Sequence, residues 1–268
     1  GHADDPQPTV FLTTDALAIC QDRLKLLESE TGEASGTLFL RETVRRGSKL
    51  LVTSNHVDKV PMRICLAQTV LPSPEGLPSD FASTDPMFMR PVLRRRLRRH
   101  LAAVLSGITQ MLVVRDTHRD RGHRLDWLIL PELSVHPDDV MPILVPFVRR
   151  HKCLVLAGLL YHRVPAASAL VNEALWILPH RSRDGGLRLM SLYQGKQHLA
   201  PVEVGIFGDR ITGYRPCQWL IEYEWSRNQR PLVLTGSICY DATDLKLAAD
   251  LRDRSDVYAI PALNKDVT

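Results

Sequence analysis

Residues 234–241 read LTGSICYD, so Cys239 follows an apolar run and stands directly before a polar, helix-like segment. That pattern puts a thiol at the C-terminal end of a strand. The turn into a helix there offers free backbone N–H groups and the positive end of a helix dipole. Both favour a thiolate, the form of cysteine that attacks. Two upstream segments carry residues suited to serve such a nucleophile: Leu125–Glu132 ends in a carboxylate, and Tyr193–Glu203 contains Lys196. A carboxylate, an ammonium and a thiol, each at a strand end, compose an acyl-transfer site.

Taken singly, each residue has an ordinary reading as well. A cysteine in an apolar run is commonly buried filler. Glu132 also reads as a helix N-cap or a surface carboxylate, Lys196 as a solvated surface lysine, and Glu203 as a surface carboxylate. The joint occurrence of Glu, Lys and Cys at three strand ends is what points to chemistry.

The elements that must position them alternate along the chain. Arg63–Thr69, Leu125–Leu130, Cys153–Tyr161, Ala174–Leu178, Arg188–Tyr193, Pro231–Cys239 and Asp256–Ala262 read as strands, several apolar throughout, as expected for strands covered on both faces. Arg90–Leu112 reads as a helix, because Leu93, Leu97, Leu101, Val104, Leu105, Ile108 and Leu112 recur at steps of three and four. Asp138–His151 and Asp241–Leu251 follow as helices with acidic residues in their first turns. The alternation argues for a layered α/β domain. Residues 1–60 do not share this rhythm: Asp15–Glu30 looks helical, Thr31–Gly36 is a turn, and Thr37–Val52 is ambiguous. Pro72–Pro86 reads as a loop, with a second break at Thr117–Gly122.

Composition bounds the class. The 268 residues are 44% hydrophobic and 24% charged, with a formal net charge of +4, ordinary for a folded domain. Five cysteines without Cys-x-x-Cys spacing fit a reduced, cytoplasmic chain better than a disulfide framework. The longest apolar run, Cys153–Tyr161, falls far short of the roughly 20 residues that a membrane helix needs, so no membrane association is expected. The histidines form no metal-binding spacing, and no Gly-x-Gly-x-x-Gly or phosphate loop follows a strand. Neither a metal nor an organic cofactor is expected.

In this chain order the three motifs resemble the Glu–Lys–Cys pattern of the nitrilase superfamily of carbon–nitrogen hydrolases. Leu130-Pro131-Glu132-Leu133 is similar to the family's glutamate motif. Lys196-Gln197-His198-Leu199 with Glu203 is similar to its lysine motif, and Ile238-Cys239-Tyr240-Asp241 to its nucleophile motif. Arg63–Gln68 matches the opening strand, while Asn172 before Ala174–Leu178, and Ile260-Pro261-Ala262, fit intervening strands. Two departures stand out. Gln194-Gly195 separates Tyr193 from Lys196 where the family places Tyr-Arg, and Ala242-Thr243-Asp244-Leu245 replaces the usual Phe-Pro-Glu stretch. The resemblance implies a four-layer α-β-β-α sandwich over residues 61–268, truncated at its C-terminus, with residues 1–60 as an N-terminal extension or a junction to another domain.

The implied roles make physical sense. Glu132 would be the general base and then the acid, and Lys196 would stabilise the oxyanion with the backbone N–H of Tyr240. Glu203 would bond the lysine and support substrate. The implied reaction is hydrolysis of a non-peptide C–N bond through a thioester at Cys239, on a small amide foremost, with nitrile or carbamoyl substrates also open. The family also implies a homo-oligomer.

Arg90, Arg94, Arg95, Arg96, Arg98 and Arg99 crowd one helix. They read as the solvated face opposite the leucines, or as a basic patch for nucleic acid or an acidic partner. The rival function follows from this patch and the unassigned lead. In it, the chain is an accessory or assembly domain of a larger nucleic-acid enzyme, such as an antiviral-defence reverse transcriptase, to which such domains are fused.

Overall fold

Apolar residues alternate with a period of two along the strands, and the two sets they generate meet different partners. The computed structural model describes residues 9–11, 38–45, 62–70, 91–117, 125–167, 169–181, 186–224 and 230–263. Thr9–Phe11 (β1), Phe39–Arg45 (β2) and Ile64–Leu66 (β3) precede helix Pro91–Thr117 (α1). Trp127–Val135 (β4) leads into Pro137–Asp139 (α2), which runs through a π-helical turn, Val140–Leu144, into Val145–His151 (α3). Then follow Leu154–Leu159 (β5), the short pair His162–Arg163 (β6) and Leu170–Val171 (β7), Glu173–Arg181 (β8) and Leu187–Gly195 (β9). Pro201–Phe207 (α4), Gln218–Glu224 (β10), Leu232–Gly236 (β11), Leu245–Leu251 (α5) and Val257–Ala259 (β12) complete the order.

The strands form a six-stranded sheet, β1-β9-β8-β5-β4-β3, and a four-stranded sheet, β12-β11-β10-β2. Along β8, Ala174, Trp176 and Leu178 enter a core shared with Trp219, Ile221 and Leu234 of the second sheet. The alternate residues Leu175 and Ile177 enter a different core, beneath Leu101, Leu105 and Ile108 of α1 and Val145 and Val148 of α3. On the outer face of the second sheet, Leu247 and Leu251 of α5 cover Leu220. Three stacked cores therefore separate four layers in the order α-β-β-α. Each leucine so buried contributes roughly 1.5–3 kcal/mol.

Two described segments within the first 60 residues bear on the sheets, one on each. β1 pairs in parallel with β9, and β2 pairs in parallel with β10 from Phe39↔Gln218 to Arg45↔Glu224. Expected as an extension or junction, this lead thus supplies an edge strand to each sheet. Its pattern was ambiguous because Arg41, Glu42 and Arg45 interrupt the apolar residues of Phe39–Arg45, and an edge strand needs only one buried face. β10 had no expected element, though Trp219, Ile221 and Tyr223 alternate into the central core. The expected helix at Asp241–Leu251 starts later. Residues Cys239–Thr243 form a 3-10 turn, and Asp244 caps α5 by accepting from the N–H groups of Lys246 and Leu247. Cys20, Arg90, Asp15–Glu30, Thr31–Gly36, Pro72–Pro86 and most of Thr117–Gly122 lie outside the described residues. Among the described residues, no helix is long and apolar enough to cross a membrane.

Candidate active site

Glu132 sits where β4 loses register with β5, between Leu130 and Val135. Such a bulge re-aims a side chain. Leu133, the next residue, has φ 55°, a conformation that costs roughly 1–3 kcal/mol for a non-glycine residue and clusters at functional sites. Gly158 of β5 makes the bulge possible: a Cβ there would lie 2.4 Å from the Glu132 Cα. The Glu132 side chain is turned inward and the residue is only 2% exposed. Its Oε2 accepts the Leu263 N–H at 3.1 Å.

Lys196 follows β9 directly. Its backbone is fixed at both ends, with N–H donating to Asn172 O at 3.0 Å and C=O accepting from Tyr214 N–H at 2.8 Å. The side chain is 1% exposed, which removes the reading of a solvated surface lysine. Its Nζ lies 2.8 Å from Glu132 Oε1 and 2.6 Å from Glu203 Oε2. Burial alone would pull the ammonium down. The charges and hydrogen bonds of Glu132 and Glu203 outweigh it and raise Lys196 above its ordinary value.

Glu203 lies in the first turn of α4 and closes that helix start by accepting the Ala200 N–H at 2.7 Å. Its other oxygen accepts from Tyr161 OH at 3.0 Å and from Asn172 Nδ2 at 2.9 Å. The same Asn172 amide donates to Glu132 Oε1 at 2.7 Å. One buried amide therefore bridges the two carboxylates that flank the ammonium. Burial, with the charges of Glu203 and Glu132, pushes the Tyr161 hydroxyl far up, so it remains a donor.

Cys239 opens the 3-10 turn with φ 45°, a second strained non-glycine residue, and its N–H donates to Pro261 O at 2.9 Å. The thiol is half-buried and faces the same Glu132–Lys196 pair. Burial, then the charge of Glu132, push it up. Lys196 and the Leu263 N–H pull it down, and the Glu132 hydrogen bond keeps the proton on sulfur, leaving it at about 11. This corrects the expectation of a thiolate favoured by a helix start. The turn is too short to supply a helix dipole, and burial, followed by the Glu132 carboxylate, outweighs the pull of Lys196. Cys153 and Cys217 are buried, and burial pushes both thiols up, Cys217 to about 12. Tyr240 turns its side chain outward, 42% exposed, while its backbone N–H belongs to the first turn, where N–H groups lack an intrahelical acceptor.

The structure thus brings Glu132, Lys196, Glu203 and the Cys239 turn together at one end of the sandwich. Reading the sequence alone gave no role to Asn172, Tyr161 or Asp241. Two polar residues, Asn172 and Glu173, directly before the apolar run Ala174–Leu178 are the one local signal for the first. Tyr161 carries none. The basic helix is partly spent internally: Arg94 makes two bonds to buried Asp139, at 2.5 and 2.8 Å. Among the described residues, no group of three or more His, Cys, Asp or Glu is placed to hold a metal ion.

No family model matches the chain, and no curated protein matches it. Solved structures do. The chain is similar to a CN-hydrolase superfamily protein from Xanthomonas campestris, with 17% identity and TM-score 0.41 over 76% of this chain and 66% of that one. It is similar to a carbon-nitrogen hydrolase from Helicobacter pylori G27, with 11% identity and TM-score 0.45 over 77% and 62%. It is also similar to an amidase of the nitrilase superfamily from Nesterenkonia AN1, with 13% identity and TM-score 0.44 over 77% and 68%. The chain spans under two thirds of the length of the Helicobacter protein.

Proposed function

We propose that this chain is a carbon–nitrogen hydrolase of the nitrilase type, cleaving a small non-peptide amide through a thioester at Cys239. The observation that carries the reading is the buried ammonium of Lys196, held at 2.8 and 2.6 Å by Glu132 and Glu203 beside the Cys239 turn. A buried ion pair of this cost is weak evidence for stability alone, since well-packed apolar residues often serve as well. It suits a site that must stabilise a transient negative charge.

The steps follow from what each group can do. Glu132 takes the thiol proton as sulfur attacks the amide carbon, forming the C–S bond. The carbonyl oxygen becomes an oxyanion, met by the Lys196 ammonium and the Tyr240 N–H. Glu132 returns its proton to the amide nitrogen as the C–N bond breaks, and ammonia or an amine leaves. Water, deprotonated by Glu132, then attacks the thioester, and the acid departs as the thiol is restored. Glu203, Asn172 and Tyr161 hold the lysine and the base in place.

The test is ammonia release from a panel of short primary amides. Cys239→Ala and Lys196→Ala should each abolish it while far-UV circular dichroism stays native. Release unaltered in Cys239→Ala would remove the reading.

A second reading concerns α1. Arg95, Arg96 and Arg99 are exposed, and no carboxylate among the described residues pairs with them. Its first turn carries no acidic residue. Clustered cations at the start of a helix repel one another and oppose the macrodipole, a cost that a polyanion would relieve. This supports a nucleic-acid-binding accessory role. Salt-dependent binding of a single-stranded RNA, lost in the triple variant R95E/R96E/R99E, would favour it; equal binding by that variant would exclude α1.

A further inference from the structure

A cluster of charges lies behind the candidate catalytic groups, touching none of them by side chain. Asp241, two residues after Cys239, is fully buried. Its carboxylate accepts the Gln197 N–H at 2.9 and 3.1 Å and the His198 N–H at 2.6 Å. Those donors are the two residues that follow Lys196. Asp241 therefore ties the nucleophile turn to the lysine loop, side chain to backbone.

Arg215 completes the tie from a third segment. Its guanidinium reaches Asp241 Oδ2 and Asp244 Oδ2, each at 3.1 Å, with its side chain 9% exposed. The stretch that carries it is pressed on the lysine loop. Tyr214 N–H donates to Lys196 O at 2.8 Å, and a Cβ on Gly213 would fall 2.1 Å from Gln197 O, so only glycine allows that approach. Asp244 is shared further: it caps α5 and meets His198 Nε2 at 3.0 Å. Burial opposes its charge, yet the Leu247 N–H, Arg215 and His198 hold its carboxyl down at about 2.

We infer that Arg215 is a positioning residue for the reaction at Cys239, holding Asp241 so that the loop behind Lys196 keeps its register on the nucleophile turn. A buried carboxylate is tolerated only when its charge is matched and its lone pairs are filled. Remove the guanidinium, and Asp241 turns toward water, releasing the Gln197 and His198 N–H groups. Lys196 then leaves the neighbourhood of the thiol. The guanidinium's planar fork suits two carboxylates at once, which an ammonium cannot reproduce as well. The effect on turnover rests on the hydrolase reading, whereas the effect on the thiol does not.

The experiment therefore reads the thiol directly. Iodoacetamide alkylation of Cys239, located by peptide mass spectrometry, is followed from pH 7 to 11.5 in the wild type, Arg215→Met, Arg215→Gln and Arg215→Lys. Hydrogen exchange at Gln197 and His198 is measured alongside. With Lys196 displaced, the thiolate loses its counter-charge. Alkylation of Arg215→Met at pH 8.5 should slow roughly tenfold, the effect of one unit of upward displacement in the thiol titration. Exchange at the two amides should quicken, and Arg215→Lys should recover part of the rate. Should Arg215→Met fail to fold, Arg215→Gln, which keeps a donor without the charge, should show the same slowing. Where an amide is turned over, kcat should fall by up to roughly 10²-fold, as for a misplacement of about 1 Å, with KM within threefold. If the folded Met or Gln variant alkylates with the wild-type rate and pH profile, Arg215 merely fills space and the inference is overturned. An inactive wild type whose thiol still responds to Arg215 would overturn the hydrolase reading instead.

Discussion

Asn172 Nδ2 lies 2.7 Å from Glu132 Oε1, on the oxygen that also receives the Lys196 ammonium at 2.8 Å. The amide's second proton goes to Glu203 Oε1 at 2.9 Å. Both carboxylates are thereby turned on one lysine, with the amide as a second donor between them beside the ammonium.

Asn172→Leu, nearly isosteric but without donors, leaves two buried acceptors a bond short and should cost about 1–3 kcal/mol in urea denaturation at pH 7.5. Asn172→Asp should cost more, because it adds a third negative charge to a site with one cation. A fully stable Asp variant at that pH would show that the bridge does not organise the site.

The thiol titration gives a second test. With Cys239 held at about 11 by burial and the Glu132 carboxylate, its alkylation by iodoacetamide should keep rising well above pH 9 rather than levelling near 8.5, where a free thiol titrates. Glu132→Gln removes the carboxylate that raises it and should move the rise to lower pH. A wild-type plateau below pH 8 would mean a preformed thiolate and a different base.

A third prediction concerns His162, whose Nε2 meets Glu173 Oε2 at 2.9 Å and whose Nδ1 meets Leu160 O at 3.0 Å. Burial pulls the imidazolium down, but the Glu173 bond and charge and the Leu160 carbonyl outweigh it and raise His162 above 6.5. A raised folded-state value stabilises fully below the unfolded value, and that contribution fades as pH rises through the folded value. The stability gap between wild type and His162→Gln should therefore be widest below pH 6.5 and narrow with increasing pH. A gap that widens with pH would contradict the pairing.

Much of the candidate site was legible because polar residues at the ends of apolar runs are conspicuous: Glu132 after Leu128–Leu130, Lys196 after β9, and Cys239 after β11. The layers were legible for the same reason, since near-continuous apolar strands require cover on both faces. What joins the motifs was not. Tyr161 reaches Glu203 from the end of an apolar run in which it passes for one more core residue, and Arg215 lies behind the site in a segment with no local pattern that marks it. The state of the thiol depends on its burial and then on which charge stands nearest, and sequence order is silent on both. β2 escaped because an edge strand interrupted by charges, here Arg41, Glu42 and Arg45, resembles a loop.

The central claim is a covalent thioester at Cys239, and rapid quench with a short primary amide tests it most directly. Ammonia is counted and the acyl group located by peptide mass spectrometry in the same sample. The account predicts a first turnover in which ammonia appears with one acyl group per chain on the Cys239 peptide, both lost in Cys239→Ala. Ammonia release persisting in that variant, or acylation found instead on Cys65, Cys153 or Cys217, would contradict it.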